Sequence, residues 1–278
     1  MDTRFWGPSG WRLLHLIAFS ASQLPKRQLH QFFETLPYVL PCKFCRASLA
    51  DYYAVDPIPE KSVDYSHWLY RIHNRVNGKL REQKLLKTAD PSWEEVKQQY
   101  TKWLTTRCTT RMMMGWDFLY SVAYTTPCPE VQSSPMPGAP PRHTIKTPEL
   151  RNRWNVLSNQ ERLHYLKQWW SLLPSVLPFA SWRKAWQAHI RILPDITKGR
   201  QKTTEWLYTA EQTMCKALKD TVSRESFQGL CSELSAFSSG CGAIKSPKVK
   251  TCRAKRSKLR TTIRKKRETR FSQTGGFL

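Results

Sequence analysis

Acidic side chains are scarce. The 278 residues carry 21 Asp and Glu against 45 Lys and Arg, a formal charge of +24. An acidic partner or surface therefore has to be considered from the start. Long apolar runs are missing as well. The longest, Trp169 to Trp182, has fourteen residues and contains Pro174 and Pro178. It is too short and too broken to cross a bilayer, so no transmembrane segment is expected. The shorter run Leu13 to Ser20 could pass for the core of a secretory signal. Trp6, Trp11 and His15 fit another pattern better, and no classical signal is expected. No segment alternates apolar and polar residues convincingly, so strands are not expected. The eight cysteines are scattered with a single close pair. That excludes the framework of a small secreted scaffold and suits an intracellular protein that uses cysteine for chemistry. What is abundant is apolar and aromatic surface. At 40% hydrophobic and 12% aromatic residues, the chain can bury a core and is unlike a disordered protein.

From Trp11 to Tyr100 the pattern is helical. Trp11, Leu14, His15 and Ala18 share one face at spacings of three and four. Phe32, Phe33 and Leu36 form a second stripe, which Pro37 and Pro41 interrupt. A third segment starts with Cys42-Lys43-Phe44-Cys45 and continues to Tyr53. A fourth runs from His67 through Leu80. A fifth begins at Asp90-Pro91-Ser92-Trp93, where Asp90 or Ser92 is the N-cap and Glu94 and Glu95 suit the first turn. Four to five short helices imply an all-α, compact bundle. Residues 127–148, rich in Pro, Ser and Thr, read as a loop or linker. Helical patterning then resumes to about residue 235.

The chain also resembles itself. Gly10-Trp11-Arg12-Leu13-Leu14-His15-Leu16-Ile17-Ala18-Phe19 reappears as Gly115-Trp116-Asp117-Phe118-Leu119-Tyr120-Ser121-Val122-Ala123-Tyr124. Phe32-Phe33-Glu34-Thr35-Leu36-Pro37-Tyr38-Val39-Leu40-Pro41 reappears as Trp169-Trp170-Ser171-Leu172-Leu173-Pro174-Ser175-Val176-Leu177-Pro178, and His67-Trp68-Leu69-Tyr70 as Glu205-Trp206-Leu207-Tyr208. Three matches in one order imply a duplicated module. The second copy keeps the apolar framework and loses the polar residues. Phe179 and Trp182 stand for Cys42 and Cys45, and Glu211, Gln212 and Cys215 for His73, Asn74 and Asn77.

Cys42 and Cys45 follow a proline and open a helix. Two cysteines three apart lie about one turn from each other and can bridge with small adjustment. The helix N-terminus favours a thiolate on the first of them. Zinc sites use the same spacing but need two further ligands, and His67 and His73 are the only nearby candidates.

The blocks around this pair carry a family resemblance. Trp6-Gly7-Pro8-Ser9-Gly10-Trp11-Arg12-Leu13-Leu14-His15, Leu40-Pro41-Cys42-Lys43-Phe44-Cys45 and His73-Asn74-Arg75-Val76-Asn77-Gly78-Lys79-Leu80 occur in order, followed by Ser92-Trp93 and Tyr100. Over residues 5–103 the chain resembles the Erv/ALR sulfhydryl oxidases, most closely the compact forms encoded by large DNA viruses. The resemblance implies FAD held inside a helical bundle, with Cys42 and Cys45 as the catalytic redox pair. Matching positions imply that Trp11, His15, His73, Asn74, Asn77 and Lys79 contact the cofactor, together with Gly7, Trp93 and Tyr100. It implies that thiol-containing client proteins reduce the pair, that Cys45 lies beside the flavin, and that O2 takes the electrons to give hydrogen peroxide. Tyr70 stands where some cellular members have a structural cysteine, so that clamp is expected to be absent. A flexible shuttle pair is not apparent, although Cys241 is placed flexibly enough to serve. A cytoplasmic or virion location follows from the viral likeness.

The expected organisation is thus a catalytic FAD-binding domain at 1–105, a degenerate Erv-like module at 106–237, and a flexible tail at 238–278. Active members of the family are usually homodimers. The degenerate module could replace the partner subunit and make an internal pseudo-dimer, or it could bind clients while the first module dimerises. Between Lys245 and Arg270 there are thirteen Lys or Arg and one acid, Glu268, which is half of the excess charge. That tail could meet nucleic acid without sequence preference, or an acidic surface. Rival readings are a flavin-free disulfide exchanger and a non-enzymatic structural or nucleic-acid-binding protein that keeps an Erv-like fold.

Overall fold

A computed structural model describes residues 1–106, 113–129, 133–190, 193, 195–220 and 224–238. The basic tail, Cys108, Cys241 and Cys252 lie outside these residues. Among the described residues the regular structure is helical throughout: α1 (Thr3–Phe19), α2 (Lys26–Val39), α3 (Lys43–Val55), α4 (Tyr65–Glu82) and α5 (Trp93–Thr105), then α6 (Trp116–Tyr124), α7 (Pro148–Arg153), α8 (Asn159–Val176), α9 (Ala180–His189), α10 (Gly199–Leu218) and α11 (Phe227–Phe237). None of them is long and apolar enough to cross a membrane.

Local chemistry sets the helix ends. The Asp2 side chain accepts from the Arg4 N–H and starts α1, earlier than the apolar stripe alone predicts. Ser92, rather than Asp90, caps α5 in a reciprocal capping box with Glu95. Asp90 instead accepts from Asn77 Nδ2 at 2.8 Å and pairs with Arg81 at 2.5 Å. Pro37 does not interrupt the second stripe, contrary to expectation. It lies inside the last turn of α2, which runs on to Val39. A proline so close to the end forfeits one amide bond, and the Leu40 N–H still reaches the Leu36 carbonyl. Pro174 repeats this in α8, where the Leu177 N–H reaches the Leu173 carbonyl.

Helix α4 packs on α1, and α10 packs on α6 in the same way. Across the molecule α1 faces α6, and α2 lies along α8. Each is therefore set against its own sequence counterpart. The contacts are reciprocal. A Cβ on Gly10 would meet the Phe118 ring at 3.1 Å, and one on Gly115 would meet Leu13 at 2.7 Å. Gly115 is the counterpart of Gly10, and Phe118 that of Leu13. Phe32 stacks on its counterpart Trp169 with centroids 5.4 Å apart. Residue i touching j′ while j touches i′ is the pattern of a two-fold interface. Arg46 Nη1 donates to the Leu40 carbonyl at 2.9 Å and Arg183 Nη1 to the Leu177 carbonyl at 2.7 Å, a correspondence that the matched blocks stop short of.

After the 3₁₀ turn Arg142–Thr144 comes α7, which packs against α3, the helix of the redox pair. Asn152 Nδ2 donates to the Pro37 carbonyl at 3.0 Å, and Arg153 pairs with Asp51 at 2.5 Å. This docking runs through polar side chains, one on a backbone carbonyl and one on a carboxylate, which leave no periodic trace in the sequence.

Candidate functional site

Cys42 is the N-cap of α3, and its sulfur accepts from the Cys45 N–H at 3.4 Å. Both cysteines are half-buried and free. Their pKa values split. Cys42 is lowered to about 6 by the hydrogen bond from Cys45, by backbone N–H groups of Cys45 and Phe44 and by the charge on Arg46, against its burial. Cys45 is pushed far up by that same bond to Cys42 and by burial. Both shifts favour the thiolate on Cys42 and the proton on Cys45. Phe44 between them is 50% exposed, which marks the side of the pair open to solvent.

A second group of side chains lies between α1, α4 and α5. His15 Nε2 and His73 Nδ1 are hydrogen-bonded at 3.0 Å, with the donor set by the tautomers. Trp11 stacks on His73 at 3.9 Å and 13°, and His15 stacks on Tyr100 at 4.9 Å. A narrow cleft is lined by His15, Tyr70, His73, Asn74, Asn77, Pro91, Val96 and Tyr100. His15 Nδ1 and His73 Nε2 are buried with no hydrogen-bond partner. Burial holds both imidazoles neutral, His15 well below the ordinary histidine range with the neighbouring His73 adding to the effect, and His73 at about 3.

Of the residues singled out from sequence, Trp11, His15, His73, Asn74, Asn77 and Tyr100 are gathered here. Trp93 stacks on Phe19 at 5.7 Å, one ring away from Tyr100. Lys79 turns to Ser48, with Nζ to Oγ at 2.6 Å, and Gly7 sits in the first half of α1, where an added Cβ would meet nothing within 4 Å. Tyr70 and Pro91 were not singled out for the cleft. The Tyr70 hydroxyl donates to the Pro91 carbonyl at 2.9 Å and ties α4 to the lead-in of α5, where a covalent clamp was considered from sequence. No group of three His, Cys, Asp or Glu able to hold a metal occurs among the described residues.

The corresponding places in the second half are filled. Phe179 and Trp182, in place of the cysteines, pack edge to face at 4.7 Å. Tyr120 and Glu211, in place of His15 and His73, are joined by a 2.6 Å hydrogen bond. Arg224 closes over them, 2.9 Å from Glu211, 2.5 Å from Asp117, and with its guanidinium 4.5 Å from the Tyr120 ring centroid. Of the remaining described cysteines, Cys128 is exposed, Cys215 buried and Cys231 half-buried, and all three are free.

Comparison with known proteins bears on the first half of this arrangement. Residues 8–101 match the Erv1 / Alr family. The FAD-linked sulfhydryl oxidase of African swine fever virus (Kenya isolate) is 33% identical over 100 residues, which are 34% of this chain and 79% of the relative. The mitochondrial FAD-linked sulfhydryl oxidase of Saccharomyces cerevisiae is 32% identical over 88 residues, 30% of this chain and 47% of the relative. A probable FAD-linked sulfhydryl oxidase of Acanthamoeba polyphaga mimivirus is 32% identical over 85 residues, 28% of this chain and 59% of the relative. No solved structure matches the chain. The matched stretch contains the half-buried cysteine pair and the imidazole cleft together, inside one helical bundle, and on that stretch the chain belongs to the Erv1/Alr family.

Proposed function

We propose that residues 1–105 form an FAD-dependent thiol oxidase that introduces disulfides into protein clients. One observation carries the reading: a cysteine pair with divided acidity opens α3 in the same bundle that buries two imidazoles among flat rings. The side chains of the cleft are of the kind that would bind a flavin. Trp11, stacked on His73, and Tyr100, stacked on His15, are flat rings, and His15 Nδ1 and His73 Nε2, buried without partners, want hydrogen bonds of the kind a heteroaromatic edge supplies. Trp11, His15, His73, Asn74, Asn77 and Tyr100 would hold it, with Gly7, Lys79 and Trp93 at its margins. Bound FAD would accept two electrons from the dithiol and deliver them to O2, giving hydrogen peroxide.

The chain's own part is thiol–disulfide exchange. A client thiolate attacks Cys42 in the Cys42–Cys45 disulfide, and Cys45 departs with the electron pair and takes up a proton. The client's second thiolate then attacks its own sulfur in the mixed disulfide, and Cys42 leaves as a thiolate. A lowered pKa at Cys42 speeds that departure, because a leaving thiol of lower pKa leaves faster. A raised one at Cys45 keeps the proton in place. Residues 106–237 serve as a degenerate copy that takes the place of a partner subunit. The reciprocal Gly10–Phe118 and Gly115–Leu13 contacts support this, as does the filling of the second cleft by Tyr120, Glu211 and Arg224.

The test is the absorption spectrum of the purified full chain, taken before and after dithiothreitol with an oxygen electrode in place. The expected result is a flavin spectrum that bleaches with dithiol while oxygen is consumed, with turnover lost in Cys42→Ser and Cys45→Ser. A colourless protein that exchanges disulfides without oxygen uptake would turn the reading to a flavin-free exchanger. One that stays inert after FAD is added would turn it to a structural or nucleic-acid-binding protein.

A further inference from the structure

The redox pair is held from both halves of the molecule. Arg46 is one residue past Cys45 and only 5% exposed. Its Nη1 donates to the Leu40 carbonyl at 2.9 Å, across the Leu40-Pro41-Cys42 turn, and its Nη2 donates to Asn155 Oδ1 at 2.7 Å. Asn155 lies just past α7, in the segment that joins α6 to α8. Its other amide atom, Nδ2, donates to the Ser134 carbonyl at 2.6 Å. Arginine only donates and a carbonyl only accepts, so this amide fits one way round. Asn155 also has φ +53°, a left-handed conformation that asparagine tolerates better than most residues. The second copy lacks this device. Arg183 bonds to the carbonyls of Leu177 and Pro178, where no cysteines need a charge.

We propose that Asn155 is a positioning residue for the redox pair, fixing the Arg46 guanidinium so that its charge favours the Cys42 thiolate. The role rests on the oxidase reading above and adds to it that the second half contributes to the catalytic centre. Arg46 acts on both cysteines electrostatically. An isolated arginine on a flexible stem would spread its charge over many positions, whereas two hydrogen bonds hold it in one. Other charged groups surround α3. The amino terminus acts on Cys45, Arg162 of α8 lies near Arg46, Arg153 is paired with Asp51, Lys79 of α4 is bonded to Ser48, and Arg75 and Glu82 of α4 act on Tyr52. Of these groups Arg46 alone is bonded into the turn that precedes Cys42. During exchange, the Cys42 sulfur takes the electron pair when the mixed disulfide breaks, so a fixed positive charge beside it favours that departure.

The experiment is the pH profile of iodoacetamide alkylation of the dithiol-reduced full chain, read at the Cys42-containing peptide by mass spectrometry because the chain has eight cysteines. Two variants are compared with the parent. Asn155→Gly keeps the left-handed backbone at no steric cost and removes the acceptor. Arg46→Lys keeps the charge but cannot span both acceptors in a fixed fork. The alkylation midpoint of Cys42 is expected to rise in both, by about one pH unit, with the far-ultraviolet circular dichroism unchanged. An unchanged midpoint in either folded variant overturns the role of Asn155. Alkylation needs neither flavin nor oxygen, so that result would leave the oxidase reading standing, and a colourless inert protein would leave this one standing.

Discussion

His15 and His73 sit in the core hydrogen-bonded to each other, and this sets a pH dependence of the fold. Burial lowers both pKa values, His73 to about 3 and His15 well below its ordinary value. The unfolded chain binds protons at these two residues below about pH 6.5, and the folded chain does not. Stability therefore falls as pH falls through that range, since the state that binds more protons is favoured by acid. At pH 5 the loss attributable to His73 alone is roughly 2 kcal/mol. Urea unfolding at pH 7 and pH 5 should show a lower midpoint in acid, and a smaller drop in His73→Phe, which cannot titrate. An equal drop in that variant would mean the acid sensitivity lies elsewhere. Both histidines were legible in sequence only through the blocks that hold them. Their mutual bond was not, because 58 residues separate them along the chain and nothing local records a tertiary contact.

At the scale of elements, helices were legible wherever an apolar stripe ran at helical spacing and a capping side chain stood before it. Pro37 was misleading because a proline signal does not say how near the helix end it lies. The docking of α7 and the residues just past it on the first half was not legible, because it uses Asn152, Arg153 and Asn155, polar residues without periodicity. The helix-to-helix contact of α1 with α6 makes the sharpest demand on sequence. Gly115 has φ +107° and a Cβ there would fall 2.7 Å from Leu13 Cδ2 and 2.9 Å from Leu13 Cβ. A side chain faces both the left-handed backbone and a neighbour that cannot move away freely. Gly115→Ala should cost roughly 2–4 kcal/mol, combining the conformational and overpacking penalties. Gly10→Ala should cost less, since its φ is helical and its nearest neighbour is a ring carbon at 3.1 Å. Thermal unfolding of the two variants checks the order, and a Gly115→Ala protein as stable as the parent would contradict the close approach of α1 and α6.

At the scale of the whole molecule, the question is what a second set of helices does when Phe179, Trp182, Tyr120 and Glu211 stand where the first has its cysteine pair and its two imidazoles. Three matched blocks in the sequence point to a repeat, but matched blocks say nothing of how copies would meet. In the structure α1 meets α6 and α2 meets α8, counterpart against counterpart. Phe32 and Trp169, both fully buried, stack where the two halves join. If the halves satisfy each other in this way, little of that surface is left to recruit a second chain. The second cleft, meanwhile, holds Arg224 against the fully buried Glu211. Opening it would strand a buried carboxylate, a penalty of about 3–5 kcal/mol that a second flavin would have to overcome. Both lines converge on one hydrodynamic experiment. Sedimentation of the full chain, followed at a protein wavelength and at a flavin wavelength, should give a single boundary near 32.6 kDa carrying one flavin per chain. A boundary at twice that mass would mean that the first half still dimerises between chains, and two flavins per chain would mean that Arg224 yields its place to cofactor.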